Sequence, residues 1–197
     1  MTTDLTQHLA AGFDEGADTL RAFGRQCSAP LVELAQCTAG AIRDGGKVLV
    51  FGNGGSAADA QHLAAEFVNR FRIDRPPLPA IALTTDSSAL TAIGNDFGFD
   101  QVFDKPVRAL ARAGDVVIGI TTSGTSPNVV RALTSARDLG CLCVGLTGAE
   151  GGPLEPLCRF LFRAPSRVTP HIQECHIAWV HAYCDAVDRV LFPEAHG

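Results

Sequence analysis

Residues 47–71, KVLVFGNGGSAADAQHLAAEFVNRF, put the tightest limit on what this chain can fold into. Val48-Leu49-Val50-Phe51 is an unbroken apolar run, the pattern of a strand buried on both faces. It breaks into Gly52-Asn53-Gly54-Gly55, where glycine permits a tight turn with the backbone open to a ligand. Ser56 then reads as an N-cap, and Ala57 to Arg70 as a helix of good helix formers. Strand, glycine loop and helix together aim backbone N–H groups and a helix N-terminus at an anion. On that helix His62 and Glu66 stand four residues apart and share a face. An imidazole and a carboxylate so placed can hold one metal ion, serve as an acid–base pair, or form a plain solvated helix pair. Gly52-x-Gly54-x-x-Ala57 also fits the dinucleotide fingerprint, with Asp86 as its ribose partner, so this stretch alone leaves the ligand open.

The rest of the chain tells what kind of sheet surrounds it. Residues 4–26 and 28–45 read as two helices, the second closed by Gly45-Gly46. Ala80 to Leu83 is a second strand, and Ser87 to Ile93 a short helix leading to a turn at Gly94-Asn95-Asp96. Phe99 to Arg112 reads as helical, Val116 to Ile120 as a third strand, and the segment from Pro127 to about Leu139 as a helix. Strands at Cys141 to Leu146 and Arg159 to Phe162 follow, then a long helix from Thr169-Pro170 to about Leu191. Apolar strands alternating with helices imply a doubly wound α/β fold, a five-stranded parallel sheet covered on both faces. Residues 1–45 form an N-terminal helical extension and 46–197 the α/β core of one domain. Ligands of such sheets bind at the carboxyl ends of the strands.

Two of those ends carry chemistry. Thr121-Thr122-Ser123-Gly124-Thr125-Ser126 offers five hydroxyls and a glycine between a buried strand and a helix started by Pro127. A plain cap needs one hydroxyl, so the cluster favours a phosphate, which the positive helix end also attracts. A phosphate site here argues against the dinucleotide reading, in which the first loop holds the pyrophosphate. The last helix carries His171, Gln173, Glu174, His176 and His181. Glu174 and His181 share a face, whereas Gln173 and His181 are about 80° apart and about 12 Å along the axis. Either Gln173 or Glu174 can therefore partner His181, within one chain or across a subunit boundary.

Composition excludes several classes. With 46% hydrophobic and 19% charged residues the 197-residue chain is globular rather than disordered. A net charge of −5 with no cluster of lysine and arginine argues against a nucleic-acid surface. No signal-peptide pattern and no apolar run of membrane-spanning length is present, so no membrane partner is expected. Seven cysteines without a C-x-x-C pair fit reduced core thiols of a cytoplasmic protein; Cys141-x-Cys143 fits small strand residues on one face better than a metal site.

GNGGSAADAQHLAAEF at 52–67, AIGNDFGFD at 92–100, TTSGTSPN at 121–128 and TPHIQECHIAWVH at 169–181 together resemble the sugar isomerase (SIS) fold. Within it they resemble the phosphoheptose isomerases, over nearly the whole chain. The resemblance implies interconversion of sedoheptulose 7-phosphate and D-glycero-D-manno-heptose 7-phosphate, the first step towards nucleotide-activated heptose. It implies a cytoplasmic homotetramer with interface active sites and one zinc ion per subunit, held by His62, Glu66, Gln173 and His181. It assigns acid–base roles to Glu66 and His181. Substrate contacts fall on Asn53, Gly54, Gly55, Glu66, Asn95, Asp96 and Gln173, and Thr121, Thr122, Ser123 and Ser126 hold the phosphate and nearby hydroxyls. Thr121 and Thr125 depart from the family, where Ser and Asn are common. A carboxylate bound to zinc is a weaker base, so Glu66 is expected to loosen its ligation as substrate binds. The alternatives are a non-catalytic SIS protein, binding a sugar phosphate or a replication initiator, another sugar-phosphate aldose–ketose isomerase with a substrate of different length, and a nicotinamide dehydrogenase.

Overall fold

The computed structural model describes residues 2–196. Among them a five-stranded parallel sheet runs in the order β2-β1-β3-β4-β5. The strands are β1 (Val48–Gly52), β2 (Ala80–Ala82), β3 (Val116–Ile120), β4 (Leu142–Thr147) and β5 (Phe160–Arg163). Alternate side chains divide between two cores. Val50, Ile118, Val144 and Phe162 face α1 (Thr2–Arg43), α2 (Gly55–Val68) and α6 (Thr169–Leu191). Leu49, Phe51, Val117 and Cys143 face the opposite side, with α4 (Asp104–Leu110) and α5 (Pro127–Asp138); Leu90 and Ile93 of α3 (Ser87–Phe97) pack at its border. This is the doubly wound SIS-type arrangement expected. Strand order reverses between β1 and β3, so the crevice for a ligand opens where these two strands end.

Several element boundaries differ from the sequence expectation. The two N-terminal helices are one helix, α1, which runs through Pro30. Pro30 removes one backbone hydrogen bond at a cost of about 3 kcal/mol. Phe23, Cys27, Leu31 and Leu34 nevertheless form an unbroken buried stripe across that point, and this packing overrides the local preference. Gly94-Asn95-Asp96 is not a turn. It belongs to α3, which continues to Phe97 and ends where Gly98 takes φ 96°. The expected helix over 99–112 is a 3-10 turn at Phe99–Gln101 followed by α4. Pro106 is tolerated only in a first helical turn, which requires a new start near Asp104. Strands β4 and β5 lie one residue later than expected and β2 one residue shorter, the usual uncertainty of strand ends.

The base of α6 is fastened to β4 through His176, which is fully buried. Its Nε2 lies 3.1 Å from the Thr147 carbonyl oxygen. A carbonyl only accepts, so Nε2 carries the proton, and Nδ1 is buried without a hydrogen-bond partner. Burial lowers the imidazole pKa from 6.5 to about 4, and the Thr147 bond opposes that shift. The folded protein thus binds fewer protons than the unfolded chain between those values, so stability is lost as pH falls from 6.5 towards 4. Glutamine can donate to Thr147 without titrating. Between pH 7.5 and 4.5, H176Q should lose roughly 2–3 kcal/mol less unfolding free energy than the wild type in urea titrations. Equal losses in the two proteins would remove His176 as the source.

Candidate active site

The β1–α2 loop is shaped by what approaches it. Gly54 occupies the N-cap position of α2 with φ 55°, and the helix begins at Gly55. Ser56, expected as the N-cap, is instead buried in the first turn, because the glycines already complete the bend. A Cβ on Gly55 would lie 2.2 Å from Gln173 Nε2, so the amide of Gln173 rests directly on the glycine backbone. This contact brings the N-terminal part of α6 against the first turn of α2. Asn53 is joined to Asn128 by reciprocal amide bonds of 2.9 and 2.8 Å. Asn128 is buried at the start of α5, so this pair ties together the loops after β1 and β3 at the topological switch point.

The loop after β3 is a connected hydroxyl cluster. Thr121 Oγ1 lies 2.8 Å from Ser126 Oγ and 3.3 Å from Ser123 Oγ. Thr125 donates to Ser123 Oγ from both its N–H and its hydroxyl, each at 3.2 Å. Ser126 is the N-cap residue of α5 but makes no side-chain capping bond. Its hydroxyl is therefore not spent on the helix, which favours an anion site over simple capping. A cleft of about 280 Å³ adjoins the loop, its polar lining supplied by Thr122, Ser123, Glu150, Ser166, Arg167 and Thr169 and its apolar lining by Ala149 and Ile172.

The third part lies between α2 and α6. His62 Nε2 is 3.0 Å from His181 Nε2 and 3.4 Å from Glu66 Oε1. Phe71 stacks on the His181 ring at 5.7 Å between centroids. Two imidazole nitrogens at 3.0 Å cannot present lone pairs to one another; they need a proton or a cation between them. Among the described residues no three His, Cys, Asp or Glu side chains close into a ready-made metal-binding group. The histidine pair with Glu66 brings two imidazole nitrogens and a carboxylate together, donor types that suit zinc, while the Gln173 amide rests on Gly55.

Not every residue named from sequence joins these three parts. Asn95 donates to the Asp96 carboxylate at 2.8 Å, and both are exposed at the end of α3. Glu174 turns away from the glycine loop and meets His171 Nδ1 at 3.2 Å, beside Gly16 of α1. Between the two candidates for that position, Gln173 is the one directed at the loop. Asp86 caps α3 by accepting the N–H of Ala89 at 2.9 Å, so helix capping accounts for the carboxylate that kept the ribose reading open. Sequence reasoning missed Asn128, Phe71 and Asp59. Asp59 lies one turn before His62; burial raises its carboxyl to about 6, His62 opposes this, and Oδ2 has no hydrogen-bond partner. Its signal in the sequence was a carboxylate three positions before His62, on the same helix face.

Comparison with known proteins bears on this geometry. Residues 13–148 match the SIS domain model. The phosphoheptose isomerase of Solidesulfovibrio magneticus is 59% identical over 185 residues, covering 93% of this chain and 90% of the relative. The structure of phosphoheptose isomerase GmhA from Neisseria gonorrhoeae superposes with a TM-score of 0.87 at 45% identity, covering 93% of this chain and 98% of that one. A phosphoheptose isomerase from Francisella tularensis superposes with a TM-score of 0.89 at 37% identity and the same coverage. No helix among the described residues is long and apolar enough to cross a membrane.

Proposed function

This chain belongs to the phosphoheptose isomerases of the SIS domain family, and from that premise we propose that Glu66 and His181 carry the proton transfers of its reaction. The enzyme is an aldose–ketose isomerase that converts sedoheptulose 7-phosphate to D-glycero-D-manno-heptose 7-phosphate, the first step of nucleotide-activated heptose synthesis. Such an isomerisation removes a proton from C1 of the ketose, passes through an enediol and delivers a proton to C2. Glu66 takes the carbon-bound proton, and His181 exchanges protons with the substrate oxygens. The observation that carries this reading is the 3.0 Å approach of His181 to His62, with Glu66 on the same α2 face.

The remaining residues position the substrate. The hydroxyls of Thr121, Thr122, Ser123 and Ser126, at the N-terminus of α5, hold the phosphate, and the preassembled Thr121–Ser126 contact supports this. Binding energy from the remote phosphate fixes the reacting carbons near Glu66. Asn53, Gly54, Gly55 and Gln173 line the path between phosphate and histidine pair. Asn95 and Asp96, exposed in one chain, would reach substrate only as part of an assembled site.

Zinc, held by His62, Glu66, Gln173 and His181, belongs to the same proposal. When bound it supplies electrophilic stabilisation of the charge that develops on the substrate oxygens. The donor chemistry of the histidine pair supports the assignment. Isomerase activity on sedoheptulose 7-phosphate should vanish on chelation and return when zinc is added back. Full activity in a metal-free sample would exclude zinc; a folded, zinc-loaded but inactive protein would favour a sugar-phosphate-binding role.

A cytoplasmic homotetramer completes the reading. All seven cysteines are free thiols, and burial pushes Cys143 and Cys158 up to about 12, consistent with a reducing compartment. The N-terminal half of α1 exposes Leu5, Leu9 and Phe13 at four-residue spacing, with Phe13 81% accessible. A helix face of this kind calls for a partner, and further copies of the chain are the occupants we propose. Phe13→Asp should shift sedimentation velocity from the tetramer towards smaller species. An unchanged sedimentation coefficient would place the interface elsewhere.

A further inference from the structure

Arg75 lies in the connection between α2 and β2, yet its side chain is 1% exposed and faces Asp188 of α6, also 1% exposed. Its Nε donates to Asp188 Oδ1 at 2.8 Å. The two other arms of the guanidinium reach back to α2: Nη2 to the Glu66 carbonyl oxygen at 3.0 Å, Nη1 to the Phe67 carbonyl oxygen at 2.8 Å. Nη1 also contacts the Pro76 carbonyl oxygen at 3.2 Å. Carbonyls in a last helical turn have no partner within the helix, and a cation there also complements the negative end of the dipole. Lysine, with a single point-like ammonium, could not hold both carbonyls and the carboxylate in one fixed plane.

The position of these contacts is specific. Glu66, whose own carbonyl oxygen Arg75 grips, is the residue assigned the carbon-bound proton. Asp188 lies seven residues after His181, two turns along the same face of α6. The clamp therefore joins the backbone of the proposed base itself to the helix that carries the proposed acid, two turns beyond it. A buried charge pair is in itself weak evidence for stability, because desolvation offsets the attraction. Here the guanidinium instead ties the backbone of α2 to a side chain of α6, the two helices whose separation the proposed chemistry depends on.

We infer that Arg75 and Asp188 are positioning residues: the clamp sets the spacing and orientation of Glu66 relative to His181 and so governs kcat. The inference rests on the acid–base reading above. A misplacement near 1 Å can lower turnover roughly a hundredfold without loss of substrate affinity. Arg75→Lys keeps the charge opposite Asp188 but gives up the fork. Measured at 20 °C, well below unfolding, it should show kcat lowered roughly 10- to 100-fold with KM within about twofold of wild type. Arg75→Met/Asp188→Leu removes both charges together and serves as the second variant if Arg75→Lys does not fold. It should be cooperative in unfolding yet show the same kcat defect. A purely structural pair would lower the melting temperature and leave kcat unchanged in the folded variant, which would overturn the inference. Glu66→Gln separates the two claims. Normal turnover in Glu66→Gln removes the acid–base reading and the clamp with it. An inactive Glu66→Gln beside a fully active Arg75→Lys removes the clamp alone.

Discussion

The contact between α2 and α6, over one face of the sheet, decides where His62, Glu66 and His181 stand. Phe67 of α2 stacks on Tyr183 of α6 at 5.5 Å, and Tyr183 stacks in turn on Trp179 at 4.9 Å. Aromatic contacts of this kind add about 0.5–1.5 kcal/mol each beyond the area they bury. The Tyr183 hydroxyl pairs with Thr38 Oγ1 at 2.7 Å, which fastens α1 to the same assembly and satisfies a fully buried polar group. Beside this core, the solvent-facing sides of the two helices present His62, Glu66 and His181. The histidines meet at a fixed distance because the helices that bear them cannot slide.

A second constraint comes from the order of the strands. Because β3 returns to the far side of β1, the glycine loop and the hydroxyl loop become neighbours, although 68 residues separate Asn53 from Thr121. The Asn53–Asn128 pair fixes that neighbourhood. Leaving either amide without its partner would cost about 1–3 kcal/mol, so the two loops are held in one register. In the proposed reading, anion binding and proton transfer are then separate tasks on separate elements, the phosphate assigned to the hydroxyl loop and the other end of the sugar to the α2–α6 pair.

Sequence made the outline of this arrangement legible and left its joints hidden. The apolar strands, the glycine loop and the hydroxyl run were visible because each has a local signature. His62 and Glu66 were visible as a pair because helical spacing places them on one face. The union of His62 with His181 had no local signature and came only from the family resemblance, since the two stand 119 positions apart and the packing of α2 on α6 brings them together. Arg75 gave no signal at all: in a Pro-rich connection an arginine reads as exposed, and only tertiary structure shows it buried against Asp188. The rotation of α6 was equally hidden: Glu174 lies near Gly16 of α1 and Gln173 lies on Gly55, which spacing along one helix does not reveal. The break expected at residue 27 does not exist, because a continuous buried stripe holds α1 as one helix through Pro30.

The central claim is that Glu66 moves the carbon-bound proton of the substrate. Proton exchange followed by NMR in D2O tests it most directly, because it reads the transfer itself rather than overall turnover. The wild-type enzyme should wash solvent deuterium into C1 of the ketose and C2 of the aldose. Glu66→Gln should still bind the sugar phosphate but exchange these protons roughly 10²- to 10⁴-fold more slowly. Exchange at the wild-type rate in Glu66→Gln would contradict the account and assign the base to another residue.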